Sequence, residues 1–304
     1  MKGVFLARSL RAKSRSAALL LFASASLSAP GFTHQDKGFA EQRAAWNKPV
    51  APFRIADNVY YVGTSELSAF LITDPQGHIL IDAAMEESAD QIAANIRTLG
   101  FKPEDIDILL VNHAHWDHSG GLAALKGLSG ARLLASAADK PDLQSGTVSY
   151  RDDLAPAPPV KVDQVLNDGD KIAIGAITLV THLTPGHTKG CTSWSMRAQA
   201  AGKPVDIIFT CSLTVAGQPL VGDRRYLDVA QDFRNTFAKL KSMKADIFLN
   251  FHPGFFHMSE KRQRLLNGDA AAFVDPAELQ QQVASAERSF EKELARQQAE
   301  ANQP

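Results

Sequence analysis

The chain has 304 residues, 45% of them apolar and 21% charged, and its formal net charge at pH 7 is −1. A chain of this length and composition can bury a large hydrophobic core, which suits one large two-layered domain or two small domains. It contains no internal repeat, coiled coil or low-complexity block, which excludes repeat and fibrous architectures.

The first 29 residues have the composition of a secretory signal peptide. A short apolar core, Ala17–Ala23, is followed by small residues that offer cleavage sites between about residues 25 and 30. Five basic residues and no acidic residue lie before the apolar core: Lys2, Arg8, Arg11, Lys13 and Arg15. We therefore expect export to the periplasm and a single mature domain over residues 30–304. A disordered basic tail is the alternative.

Removal of a signal peptide affects which partners the mature protein can bind. The apolar run is too short to span a bilayer, so we expect no stable membrane anchor. Removal of the five basic side chains takes the formal charge from −1 to about −6. An acidic protein without a basic stripe is a poor nucleic-acid binder, so we expect no nucleic-acid partner.

Three strands are predicted early in the chain, over Val59–Val62, Ala69–Ile72 and His78–Ile81, with a turn at Asp74–Gly77. Asp82 follows the third strand. A helix is predicted over Glu86–Leu99, ended by a glycine.

Residues 113–118 are the most informative segment, because four of the six can bind a metal. His113, His115, Asp117 and His118 follow the strand-like segment Ile106–Val111, and a short helix comes after them. Burying these side chains together without a metal would be costly. Imidazole and carboxylate ligands suit zinc, and four of them would crowd one tetrahedral ion. The segment therefore predicts the floor of a site for two zinc ions.

Two later loops can supply the remaining ligands. His187 lies in a Pro-Gly turn after the predicted strand Ile177–His182, and His252 follows the strand-like Ile247–Leu249. Strand ends in layered α/β folds are where binding sites are built. The four other histidines are expected to be structural or surface residues: His34, His78, His182 and His257.

Further elements complete the predicted chain. Gln144–Val160 is rich in Ser, Pro and Ala, which is typical of a long loop that covers a site. Helices are predicted over Asp228–Met243 and Met258–Asn267. A C-terminal helix is predicted at about residues 276–298, where an apolar stripe favours core packing over a partner interface.

The motifs together resemble those of the metallo-β-lactamase superfamily, over most of the chain from Phe53 to Leu266. His-x-His-x-Asp-His, Pro-Gly-His and the late His-Pro carry the resemblance. Leu183–Trp194, Asp232–Phe237 and His252–Phe256 are most similar to the third subclass of class B β-lactamases. The resemblance implies an α/β fold, the αβ/βα four-layer sandwich, with two mixed sheets and outer helices.

The resemblance also implies the ligand sets. His113, His115 and His187 would hold the first zinc ion, and Asp117, His118 and His252 the second. Asp117 would also orient the attacking hydroxide. Asp82 would support the metal loop from behind, with helix capping as the alternative.

One position separates this subclass from related hydrolases. Lactonases and glyoxalase II-like enzymes of the superfamily carry a metal-bridging Asp where this chain has Ser212. Without it, two zinc ions, one Asp and one hydroxide leave a charge of roughly +2, which should attract an anionic substrate. Ser212 and Thr214 would bind its carboxylate. Other subclasses use a Cys ligand in this loop, so a one-place slip would put Cys211 there instead.

Gln218 departs from the resemblance. Relatives often carry a Tyr shortly after the position of Gly217, where it helps to polarise the substrate carbonyl. The amide of Gln218 would have to donate that hydrogen bond here.

The chain has only two cysteines, Cys191 and Cys211. They lie at the predicted strands Cys191–Met196 and Asp206–Thr210, joined by the polar stretch Arg197–Pro204. If these strands pair, the sulfurs would meet, and export would allow a disulfide. Relatives have a comparable pair. Two buried free thiols are the alternative.

We therefore predict zinc-dependent hydrolysis of the β-lactam amide bond of penicillins, cephalosporins and carbapenems, with two zinc ions as cofactors. Such an activity would confer antibiotic resistance on the cell that exports the enzyme. We expect the enzyme to be a monomer with a small-molecule β-lactam as its substrate. A lactonase, thioesterase or glyoxalase II-like hydrolase on the same fold is the first alternative. A non-enzymatic zinc-binding protein of the periplasm is the second.

Overall fold

The computed structural model describes residues 34–303, so the predicted signal peptide lies outside the described residues. Residues Ala40–Pro304 form one compact unit, and Met1–Phe39 are assigned to another. The α-helices are α1 (His34–Trp46), α2 (Ala89–Thr98), α3 (Trp116–Ser119), α4 (Leu122–Ser129), α5 (Lys140–Ser145), α6 (Val229–Lys241), α7 (Met258–Leu266) and α8 (Glu278–Ala301). In the described range, no helix combines the length and the apolar character that crossing a bilayer requires.

The strands of the described residues form two mixed sheets. The first holds β1 (Phe53–Ala56), β2 (Val59–Tyr61), β3 (Phe70–Asp74), β4 (Gly77–Ile81), β5 (Ile106–Leu110), β6 (Arg132–Ser136) and β7 (Gln164–Leu166), in that spatial order. The second, in the order β12-β11-β10-β9-β8, holds β8 (Lys171–Ile174), β9 (Ile177–Leu183), β10 (Thr192–Ala200), β11 (Lys203–Thr210) and β12 (Ile247–Asn250). Neighbours are antiparallel from β1 to β4 and from β8 to β11, and parallel elsewhere.

Alternation along the strands places two apolar layers on the first sheet. In β5, Leu110 faces the core that also contains residues of the second sheet, whereas Leu109 faces the layer that contains α2 and α4. The outer face of the second sheet packs against α6 and α8, through residues such as Phe237 and Phe290. Helices therefore cover both outer faces, which confirms the predicted four-layer sandwich.

One predicted element needed correction. β10 and β11 pair from Trp194 to Lys203, so the polar stretch predicted as a connection is strand, and only Ala201 and Gly202 form the turn. Most side chains there are exposed, although Ala200 and Val205 belong to the core, so polarity was a poor guide to where the strands end. α1 and β1 were not predicted. The C-terminal helix was predicted within three residues of α8, and Asp275 Oδ1 accepts the backbone N–H of Ala277 just before it.

Phe70 joins the two sheets at the centre of the core. Its ring is fully buried and lies 5.3 Å from Phe209 of the second sheet and 5.5 Å from Phe251, next to the His252 loop. The core therefore connects directly to a loop that carries a predicted ligand.

Replacing Phe70 by Ala is expected to lower the free energy of unfolding by about 3–5 kcal/mol, because it leaves a cavity where the sheets meet. Urea denaturation of the metal-free protein measures this. Leu227→Ala is the matched control, since Leu227 is 76% exposed and its loss should change the free energy by less than about 0.5 kcal/mol. Equal effects of the two substitutions would contradict the assignment of the core.

Candidate metal centre

The predicted ligands lie beyond the carboxyl ends of strands, on loops and, for Asp117 and His118, on the short helix α3. β9, β11 and β12 run in one direction, because β10 is antiparallel to β9 and β11, and β12 is parallel to β11. His187 follows β9 and His252 follows β12, while the segment 113–118 follows β5 of the facing sheet. The structure brings all six predicted ligands together in two clusters.

The first cluster consists of His113, His115 and His187. Their ring centroids lie 4.5–4.7 Å apart, and all three side chains are buried. The Nε2 atoms of His113 and His115 have no hydrogen-bond partner in the described structure. The Nδ1–H of His187 donates to the carbonyl oxygen of Thr214 at 2.7 Å, which leaves its other nitrogen as an acceptor. Buried imidazole nitrogens without partners fit a metal ion.

The second cluster consists of Asp117, His118 and His252. Asp117 Oδ2 lies 3.4 Å from His118 Nε2 and 3.6 Å from His252 Nε2, and the two nitrogens are 3.3 Å apart. The Nδ1–H of His252 donates to the Glu66 carbonyl oxygen at 3.1 Å. Three ligand atoms therefore converge on one point, two of them from α3 and one from the loop after β12.

Electrostatics keeps most of these groups ready to bind a cation. Burial lowers the pKa of His113 and His115 well below the usual range and that of His187 and His252 to about 4, so these imidazoles are neutral at pH 7. Only neutral imidazole binds a metal.

Asp117 and His118 behave differently because they form an ion pair. Burial disfavours the charge of Asp117, but the neighbouring imidazoles, above all His118, hold its pKa below the usual range. Burial likewise opposes the charge of His118, but Asp117 and Asp82 outweigh it and raise the His118 pKa to about 10. A metal ion in the second cluster would take the place of that proton.

Asp82 supports both clusters from behind. Its carboxylate accepts the Nδ1–H of His118 at 2.9 Å and the backbone N–H of Asn112 at 2.8 Å, as well as the Asn112 side-chain amide. The Oδ1 of Asn112 in turn accepts the Nδ1–H of His113. Asp82 adopts a φ of +63°, which is uncommon for a residue other than glycine. It therefore lies where the resemblance implied, and Asn112 extends its support to the first cluster.

The predicted substrate-binding residues lie on the loop after β11. The hydroxyl groups of Ser212 and Thr214 are 3.0 Å apart, and the backbone carbonyl of Thr214 holds His187. Gln218 is fully buried, and its side-chain amide donates to the carbonyl of Pro219 at 3.4 Å. The contact of Gln218 with substrate stays a prediction.

Cys191 and Cys211 form a disulfide, which confirms the predicted bridge. Cys211 Sγ lies 3.7 Å from His113 Nδ1 and 3.3 Å from the Asn112 carbonyl oxygen. Because its sulfur is in the bridge, Cys211 offers no thiolate ligand. The disulfide instead ties the loop of His187 to the loop of Ser212.

Sequence reasoning missed several neighbours of the clusters. Trp46 of α1 stacks on Trp116 at 6.0 Å between ring centroids and meets the ring of His252 edge-on at 5.8 Å. Arg151 is buried in the long loop after α5 and donates to the Ala216 carbonyl oxygen at 3.0 Å. Neither residue belongs to a motif, so only the position of Arg151 in a loop expected to cover the site pointed to it.

The fold and the site define a family. Residues 63–252 match the model of the metallo-β-lactamase superfamily. This is more than half of the chain, which therefore belongs to the metallo-β-lactamase superfamily, as the motifs predicted.

Similar proteins are found among solved structures and curated sequences. BJP-1, a subclass B3 metallo-β-lactamase of Bradyrhizobium japonicum, is 42% identical and has a TM-score of 0.80, over 84% of this chain and 98% of that one. FEZ-1, a metallo-β-lactamase from Legionella gormanii, is 38% identical with a TM-score of 0.80, over 83% and 98%. A UPF0173 metal-dependent hydrolase of Anaeromyxobacter dehalogenans is 27% identical over 213 residues, which are 69% of each chain.

Asp82→Asn is expected to weaken metal binding about 10–100-fold, because an amide cannot accept all the hydrogen bonds that fix His118 and Asn112. Competition with a zinc chelator measures the affinity. Asp107→Asn is the control, since Asp107 is exposed near the start of β5, the strand that leads to the cluster. Wild-type affinity in Asp82→Asn would contradict the supporting role.

Proposed function

We propose that the protein is a zinc-dependent β-lactamase that binds two zinc ions, one in each cluster, and hydrolyses the amide bond of the β-lactam ring. The observation that carries this proposal is the pairing of a three-imidazole cluster with an Asp-His-His cluster, beside the hydroxyl pair of Ser212 and Thr214. The similarity to subclass B3 enzymes supports it.

Charge favours an anionic substrate. Among the residues that the structure describes, Asp117 is the only carboxylate in either cluster. Two divalent ions with one carboxylate keep an excess of positive charge, which attracts and holds an anion. A β-lactam carries a carboxylate next to its strained ring, whereas a lactone substrate of the related hydrolases is neutral.

The residues of the site divide the work. When bound, zinc supplies Lewis-acid chemistry and makes a hydroxide nucleophile available near pH ~7. Asp117, held ionised by its imidazole neighbours, would be both a metal ligand and the acceptor of the hydrogen bond that orients the attacking water. Ser212 and Thr214 donate hydroxyl hydrogen bonds to the substrate carboxylate and so position the amide carbonyl at the metal site.

Export to the periplasm is part of the proposal. The chain begins with the composition of a signal peptide, and the Cys191–Cys211 disulfide suits an oxidising compartment. A β-lactamase located there would meet its substrates before they reach the cell-wall enzymes, so its expression should confer resistance.

Steady-state hydrolysis of a penicillin, a cephalosporin and a carbapenem tests the proposal, alongside an acyl-homoserine lactone and a glutathione thiolester. We expect β-lactam turnover that is abolished by dipicolinate and restored by zinc, because the nucleophile depends on the metal. Much faster cleavage of the lactone or thiolester would assign the site to the related hydrolases. Full metal binding without turnover of any substrate would instead indicate a zinc-binding protein.

Ser212→Ala with Thr214→Val is expected to lower kcat/KM for β-lactams roughly 10–100-fold, mainly through KM, because two hydrogen bonds to a charged group are lost. Initial rates over a range of substrate concentrations measure both constants. Thr178→Val is the control, since Thr178 is exposed on β9. An unchanged KM in the double variant would remove the carboxylate-binding role.

A further inference from the structure

Asp139, between β6 and α5, is a buried carboxylate that the proposed chemistry does not use. It is 1% exposed, although burying a carboxylate is costly. Burial raises its pKa to about 7, even though several hydrogen bonds favour the charged form. The contacts that hold a carboxylate in this position are therefore of interest.

The contacts of Asp139 reach both loops of the first cluster. Its Oδ1 accepts the backbone N–H of Gly190 at 3.0 Å, and its Oδ2 accepts the hydroxyl of Thr188 at 3.1 Å. The backbone N–H of Ala114 lies close enough to the carboxylate to favour its charged form and so to lower its pKa. Ala114 lies between His113 and His115, and Thr188 directly follows His187.

The surroundings are shaped to admit this carboxylate. A Cβ atom on Gly190 would lie 2.5 Å from Asp139 Cγ and 2.1 Å from Ser136 Oγ, so only glycine allows this approach. Ser136 Oγ accepts the backbone N–H of Asp139 at 3.2 Å and fixes its position. The His187 loop and the Asp139 carboxylate therefore fit each other because residue 190 is a glycine and because Ser136 fixes the backbone of Asp139.

We propose that Asp139 is a positioning residue that holds the His113–His115 segment and the His187 loop at the separation where three imidazoles bind one metal ion. The hydrogen bonds of Asp139 do not go to the second cluster, where His118 is held by Asp82 and His252 by the Glu66 carbonyl. Asp139 therefore acts on one metal ion and not on the other. This inference rests on the metal binding of the proposed function and not on the identity of the substrate.

Zinc binding in two backgrounds tests the inference. His118→Ala with His252→Ala leaves the first cluster as the intact set, and His187→Ala leaves the second. We expect Asp139→Asn to weaken zinc binding about 10–100-fold in the first background and to leave it unchanged in the second, as for other groups that support metal ligands. The visible absorption of cobalt bound in the first background should also change, because the imidazoles shift.

Two further variants distinguish a specific effect of Asp139 from a general structural effect. Asp142→Asn is the matched control, because Asp142 is also a buried carboxylate, in α5, but its hydrogen bond is to the backbone N–H of Ser149 and not to a loop of the first cluster. Thr188→Val removes one hydrogen bond to Asp139 and keeps the carboxylate, so a smaller loss confined to the first cluster is expected.

The outcomes separate the alternatives. Unchanged zinc affinity in Asp139→Asn and Thr188→Val would overturn the inference, and so would an equal loss in both backgrounds, which would indicate a general structural role. Because the readout is metal affinity, absence of β-lactam turnover would overturn the proposed function and leave this test intact.

Discussion

The crowding of five imidazoles and one carboxylate between the ends of two sheets, all of them buried except the half-buried His252, is the constraint on which the rest of the structure depends. Buried polar groups need partners, and four of these imidazoles are held neutral by their surroundings. One cation in each cluster would satisfy all six. The surrounding loops therefore serve to hold the nitrogen and oxygen ligand atoms in place around a metal ion.

The loops hold the histidine ligands in the same way. Asn112, Thr214, Asp82 and Glu66 each accept the Nδ1–H of a different histidine of the site, and three of the four acceptors belong to neighbouring loops rather than to the ligand's own. Each such bond fixes one tautomer and one ring orientation. The orientation of the ligands thus depends on residues from several parts of the fold. Phe70 connects the packing of the two sheets to the loop of His252 through its contacts with Phe209 and Phe251.

Much of this could be predicted from the sequence, since the metal ligands lie in short motifs at the ends of apolar strands. The pairing of Cys191 with Cys211 was predicted on the condition that their strands pair, and from the comparable pair in relatives. Support from Asp139 and Arg151 could not be predicted, because each acts across a long separation in sequence. Gln218 stays a prediction: its side chain is buried, and Gln297 holds its backbone carbonyl.

A count of the metal ions in the folded chain tests the central claim most directly. Elemental analysis of protein reconstituted with zinc and freed of excess metal should give two ions per chain, and one ion when either cluster loses its histidines. A chain that binds no divalent metal while retaining its fold and its hydrolytic activity would contradict the account.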